Sequence, residues 1–209
     1  GIDRAATFIG SSYGGMVGLA FAELFPERIE RLVVICAAHR AHQMTTALRG
    51  IPRRILAFAA DAGRPEEGVA LARELAMTTY RSPEEFDARF SGGFPASAGD
   101  PYPVCDYLIA QGRNYPSVTT TGRWITLSDS MDRHRVDPAR VTTPTTLVGF
   151  TSDRLAPIED IRALAKALPN LDWFAQLPSV YGHDGFLKEV EALTPILRAA
   201  LPSAQTIAA

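Results

Sequence analysis

Short apolar runs bounded by turn residues occur at AATFIG (5–10), RLVVICAA (31–38), PTTLVGF (144–150) and LDWFAQLP (171–178). Their length and their β-branched and aromatic content predict buried strands. Between the first two runs the period lengthens. Met16, Leu19, Ala20 and Leu24 recur at three- and four-residue spacing and predict a helix over 12–25. Strand, helix and strand in succession form a βαβ unit, which implies parallel pairing with helices covering the sheet.

Beyond residue 42 the helical period takes over. GIPRRILAFAADAG, EEGVALARELAMTTY, SPEEFDARF, VCDYLIAQGRNY and TTGRWITLSDSMD all predict helices, and SGGFPASAGDPYP (91–103) predicts a loop. Residues 43–135 therefore read as a helical lid inserted into an α/β core made of 1–42 and 136–209. PIEDIRALAKALP and GFLKEVEALTPILRAAL predict two further helices of that core. A strand that is apolar on both faces and bare along one edge is an aggregation hazard. Upstream strands from the same protein are therefore expected to complete the sheet beside residues 5–10.

The chain has 209 residues, 46% of them apolar, which is enough to fill a core. Lys and Arg number 21 against 23 Asp and Glu, a formal net charge of −2 that offers no broad basic field for nucleic acid. No apolar run approaches the length of a membrane span, and a cytoplasmic location is the default expectation. The two cysteines are too few for a disulfide scaffold or a Cys-rich metal site, and Cys36, within RLVVICAA, reads as a small buried hydrophobe.

Candidate chemistry begins at Gly10-Ser11-Ser12-Tyr13-Gly14, a G-x-S-x-G motif between a predicted strand and a predicted helix. Such a turn lifts a serine oxygen above the sheet edge, and the flanking glycines relieve crowding. The helix starting there aims N–H groups at a developing oxyanion, with Tyr13 as the first donor. A serine hydroxyl needs a base held by a carboxylate. Asp153, in TSDRLAP after the third strand run, and His183, in YGHDGFL after the fourth, stand in the chain order expected of this architecture. His39 and His42 lack a third ligand and read as pocket or solvent residues. His134 lies in a charged run, and no metal site is expected.

GSSYGGMVGLAFAELFPERI, TTYRSPEEFDARF, VCDYLIAQGRNY, TSDRLAP and YGHDGFL together resemble the homoserine O-acyltransferases, a family that includes homoserine and serine O-succinyltransferases. The resemblance spans the whole chain and implies an α/β-hydrolase fold. It implies a nucleophile at Ser12, an acid at Asp153, a base at His183, and acceptor contacts at Arg73, Tyr80 and Asp184. The implied reaction moves an acyl group from acyl-CoA, a co-substrate, to the side-chain hydroxyl of homoserine or serine through a seryl acyl-enzyme. The implied pathway is sulfur amino-acid synthesis, and family members are commonly dimers.

Two departures lean the expected donor toward succinyl over acetyl: AHRAH (38–42), and an elbow of Gly10-Ser11-Ser12-Tyr13 where the family has Gly-Gly-Ser followed by Met or Leu. The bulkier Tyr13 stands at the oxyanion position. An ester or thioester hydrolase with the same three residues is the alternative, because transfer and hydrolysis differ only in what reaches the acyl group.

Overall fold

The computed structural model describes residues 3–201. Four strands, β1 (Phe8–Ser11), β2 (Leu32–Ile35), β3 (Thr145–Phe150) and β4 (Leu171–Leu177), form one sheet in that order. All three pairings are parallel. β2 and β3 are buried at every residue, as interior strands of a parallel sheet must be when both faces are covered. The outer strands β1 and β4 are only partly buried.

The chain divides into two compact units, residues 1–42 with 133–209, and residues 43–132. In the first unit α1 (Tyr13–Leu24) follows β1, α7 (Ile158–Ala167) joins β3 to β4, and α8 (Gly185–Lys188) and α9 (Val190–Ala200) close the fold. Its core gathers Leu19, Val33, Val34, Leu147, Val148, Phe150, Ile161, Leu164 and Ile196.

The face that α1 turns inward matches the predicted one at Leu19, with Met16 and Ala20 packed against the core, and departs from it at Leu24, the last residue of the helix. Leu24 is 61% exposed, and the buried positions are Gly15, Gly18, Leu19 and Ala22. Small residues let the helix lie close to the sheet: a Cβ on Gly18 would stand 2.9 Å from Leu32 Cδ1 and from Phe8. The single closing helix expected over 185–201 is two helices. Glu189, at ψ 53°, leaves the helical range and accepts from Leu193 N–H, so it ends α8 and starts α9.

The second unit is helical: α2 (Gln43–Asp61), α3 (Pro65–Tyr80), α4 (Pro83–Phe90), α5 (Pro103–Arg113) and α6 (Thr121–Arg133). Leu56, Val69 and Ala72 form its centre, with Tyr115, Trp124 and Ile125 packed against them. Asp132 ties the end of α6 to α2, accepting from Arg49 Nε at 2.7 Å and Arg53 Nη1 at 2.6 Å. Among the described residues no helix is long and apolar enough to cross a membrane.

Candidate active site

Ser12 sits between β1 and α1 at φ 52°, ψ −119°, a backbone conformation that L-residues rarely adopt. It is locked from both sides: its N–H donates to Ile35 O at 2.7 Å, and its C=O accepts from Met16 N–H at 3.1 Å. Glycine is required on the two sides of this bend, though not at both motif positions. A Cβ on Gly10 would run into the Gly14 carbonyl and stand 2.7 Å from Gly15 N. A Cβ on Gly15 would meet Ala37 Cβ at 2.9 Å. Gly14 faces open space, so the steric need falls on Gly15, one residue past the motif. Tyr13 is the first residue of α1, where helix geometry gives the backbone N–H no acceptor within the helix.

The strand ends bring distant residues to this bend. His183 lies in the short turn Gly182–Asp184 after β4, opened by Gly182 at φ 59°. Its ring meets Phe186 edge-on at 5.6 Å between centroids. Gly185 passes so close to Phe150 that a Cβ would stand 2.7 Å from the ring, which keeps the turn against the core. Asp153 follows β3 and is 4% exposed; His183 is 6% exposed.

Ser12 Oγ lies 2.8 Å from His183 Nε2, and His183 Nδ1 lies 2.7 Å from Asp153 Oδ2. With Nδ1–H donating to the carboxylate, Nε2 accepts from the Ser12 hydroxyl. Asp153 divides its two oxygens between two tasks. Oδ2 takes the imidazole, while Oδ1 accepts from Leu155 N–H at 2.8 Å and Ala156 N–H at 3.0 Å, shaping its own loop. The arrangement can draw a proton from a hydroxyl and hold the resulting imidazolium.

A fourth side chain enters the group. Cys36, the residue after β2, is 1% exposed at φ 54°. Its Sγ lies with a carboxylate oxygen of Asp153 and a ring nitrogen of His183, all within 4.8 Å of one another. Burial, then the Asp153 charge and a hydrogen bond to that carboxylate, push the thiol pKa well above its ordinary value, so the sulfur is held as S–H.

This corrects the function expected from the sequence, a seryl acyl-enzyme: Cys36, buried in the core as expected, also stands beside the acid and the base. A thiol, a second nucleophilic atom, stands in the same group as the acid and base, so that expectation does not carry over as written. What the cluster supports is acyltransferase or esterase-type chemistry around Asp153 and His183. The sequence concealed the cluster because an apolar run containing a cysteine reads only as core. The same three side chains are a candidate ligand set for a metal ion. Binding one would require the thiol and Nδ1 protons to leave and would break the 2.7 Å bond that joins base to acid.

The remaining predicted residues fall in two places. Asp184 is half-buried beside His183 in the first unit. Arg73 and Tyr80 lie on α3 in the second unit, two helical turns apart. Arg73 Cζ stands 5.3 Å from the Tyr80 ring centroid and 4.5 Å from that of Tyr115. The guanidinium carbon thus lies over both rings, a cation–π arrangement. Tyr115, between α5 and α6, had no periodic signal to single it out. His134 Nε2 donates to Ala38 O at 3.0 Å, and its ring is a structural link.

The sequence matches the alpha/beta hydrolase fold family over residues 1–190. A homoserine O-succinyltransferase of Xanthomonas campestris is 41% identical over 96% of this chain and 55% of its own length. A homoserine O-acetyltransferase of Thermus thermophilus is 34% identical over 97% of this chain and 54% of its own length. The chain thus spans about half the length of these curated relatives.

Among solved structures, the homoserine O-acetyltransferase of Staphylococcus aureus superposes with a TM-score of 0.74 at 26% identity, covering 94% of this chain and 58% of that one. Esterase E22 superposes at 0.86 with 16% identity, covering 96% and 62%, a likeness of fold alone. The chain belongs to the α/β-hydrolase fold family and is a homologue of the homoserine O-acyltransferases within it.

Proposed function

We propose that this chain carries the reaction centre of a CoA-dependent O-acyltransferase, with Ser12, Asp153 and His183 as its catalytic group. The observation that carries the reading is the continuous hydrogen-bonded line from Asp153 Oδ2 through His183 to Ser12 Oγ. As a hydroxyl attacks the thioester carbon, His183 takes its proton and passes it to the CoA thiolate that leaves when the C–S bond breaks. Asp153 keeps Nδ1 protonated and stabilises the imidazolium. Backbone N–H groups at the start of α1, Tyr13 first, stabilise the charge that develops on the acyl oxygen.

The acceptor is an amino acid bearing a side-chain hydroxyl, in keeping with the names of the relatives, which carry both succinyl and acetyl donors. Arg73, its Cζ over the Tyr80 and Tyr115 rings, is suited to a carboxylate, and Asp184 is suited to an ammonium.

The test is release of CoA from succinyl-CoA and acetyl-CoA by the full-length protein, with and without homoserine or serine. The proposal expects an O-acyl amino acid and a rate that rises with the acceptor. Free acid formed at a rate indifferent to either amino acid overturns transfer in favour of hydrolysis.

A further inference from the structure

We propose that Tyr115 is a positioning residue for acceptor binding, its ring holding the Arg73 guanidinium in place for the carboxylate of the amino-acid acceptor. The inference rests on the proposed transfer to an amino acid and on Arg73 as the contact to its carboxylate.

Arg73 keeps its charge available. Its side chain is half-buried on α3; among the described residues it forms no salt bridge, and its buried Nε has no hydrogen-bond partner. What surrounds the cation is aromatic: Cζ lies over the Tyr115 ring, 4.5 Å from its centroid, and over the Tyr80 ring at 5.3 Å. Pairing with an aspartate or glutamate would cancel the charge and occupy the N–H donors. An aromatic face attracts the cation through its quadrupole and leaves those donors for an anion. A carboxylate, which takes two parallel N–H bonds from a guanidinium, is the anion that fits.

Of the two rings, Tyr115 is the nearer and the more firmly anchored. Tyr80 is the last residue of α3, the helix that carries Arg73 itself. Tyr115 opens a separate short turn, Tyr115–Ser117, after α5. Its carbonyl accepts from Val118 N–H at 2.9 Å and Thr119 N–H at 3.2 Å, and Ser117 Oγ donates to Asn114 O at 2.7 Å. Pro116, within the turn, fixes one backbone torsion. The Tyr115 ring meets Trp124 edge-on at 5.5 Å between centroids and packs against Leu56, Val69 and Ala72, the centre of the second unit.

Backbone and ring are therefore both held before any ligand arrives. A guanidinium seated on such a ring has less rotamer freedom left to lose when a carboxylate binds, and the acceptor binds more tightly for it. A packing link between α3 and the turn would account for the ring's apolar contacts, but not for a cation left without a counter-charge.

The experiment uses the full-length protein with acyl-CoA in fixed excess and compares homoserine with aminopropanol, which is homoserine without its carboxylate. Serine and ethanolamine form the matching pair. The quantity read is the ratio of kcat/KM for the amino acid to kcat/KM for the amino alcohol, which does not depend on how much enzyme is folded. Tyr115→Leu is expected to lower that ratio by about tenfold, the size of a desolvated cation–π contact. Tyr115→Phe, which keeps the ring, retains it. Arg73→Met lowers the ratio at least as far, and adding Tyr115→Leu to Arg73→Met changes it no more.

A ratio unmoved in Tyr115→Leu while Arg73→Met lowers it overturns the positioning role and leaves the acceptor reading standing. Equal losses with both acceptors, the mark of packing alone, give that unmoved ratio. A further fall on the Arg73→Met background also overturns the role, because Tyr115 then acts without the guanidinium. A ratio unmoved in Arg73→Met removes the carboxylate contact and the inference with it. A wild-type protein that acylates neither amino acid overturns the transfer reading and the inference together.

Discussion

His183 Nε2 lies 2.8 Å from Ser12 Oγ, although the two residues are 171 positions apart in the chain. The contact exists because β1 and β4, at opposite edges of a four-stranded parallel sheet, both end at the same rim. Asp153, after β3, and Cys36, after β2, complete one residue from each strand end. In an open parallel sheet the carboxyl ends of the strands form the natural crevice, and here every strand contributes to it.

Ser12 holds its place at the cost of backbone strain, which gives the first prediction. At φ 52°, ψ −119° a glycine is less penalised than any L-residue. Ser12→Gly should therefore stabilise the protein by about 1 kcal/mol, a rise in Tm of about 2–4 °C, while abolishing turnover. Calorimetry beside an activity assay checks it. A lower Tm would show that the bend is not strained by its side chain.

The divided duty of Asp153 gives the second. Asparagine keeps an oxygen for Leu155 and Ala156 N–H but presents no charge to His183. Asp153→Asn should stay folded, with kcat lowered roughly ten-thousandfold. Asp153→Ala should lose both tasks and about 1–3 kcal/mol of stability as well. Urea melts of the two variants separate the tasks. Equal stability would mean that the loop does not depend on Oδ1.

Much of this site was legible in the sequence because its parts are local. The βαβ pattern placed Ser12 at a strand–helix bend, and the late turns offered Asp153 and His183. What was hidden depends on tertiary approach. Cys36 lies in a run whose hydrophobicity is accounted for by burial in β2, so nothing in it distinguishes a thiol at the reaction centre from a core residue. Leu24 fits the helical period yet is exposed at the last residue of α1, while Gly15, Gly18 and Ala22 share the buried face with Leu19. Tyr115 completes the stack on Arg73 from outside α3, where helix periodicity cannot reach.

Acid sensitivity gives the third prediction. Burial lowers the pKa values of His134 and His39 below the ordinary 6.5. Each also feels the other groups around it: Arg40 and Arg135 oppose protonation of His39 and Asp160 favours it, while His39 opposes protonation of His134 and Glu23 favours it. The unfolded chain takes up these protons first. The stabilisation is therefore complete above pH 6.5 and is lost as pH falls through 6.5 toward the lower folded values. Melting temperature should fall from pH 7.5 to 5.5, and His134→Gln, which keeps a donor for Ala38 O, should fall less. A flat profile over that range would contradict it.

The two thiols should differ sharply in reactivity. Cys105 is exposed, whereas Cys36 is buried with its pKa pushed up. Iodoacetamide should label Cys105 quickly in the native protein and Cys36 only after denaturation, with activity retained on native labelling. Peptide mass spectrometry reads both sites. Fast native labelling of Cys36 with loss of activity would make the sulfur the reactive group.

The site of covalent trapping tests the central assignment most directly. The full-length protein is treated with a serine-directed phosphonate, or quenched during turnover of acyl-CoA, and the modified residue is mapped by mass spectrometry. The account predicts the adduct on Ser12 and its absence from Ser12→Ala. An adduct on Cys36, or one that persists in Ser12→Ala, would contradict it.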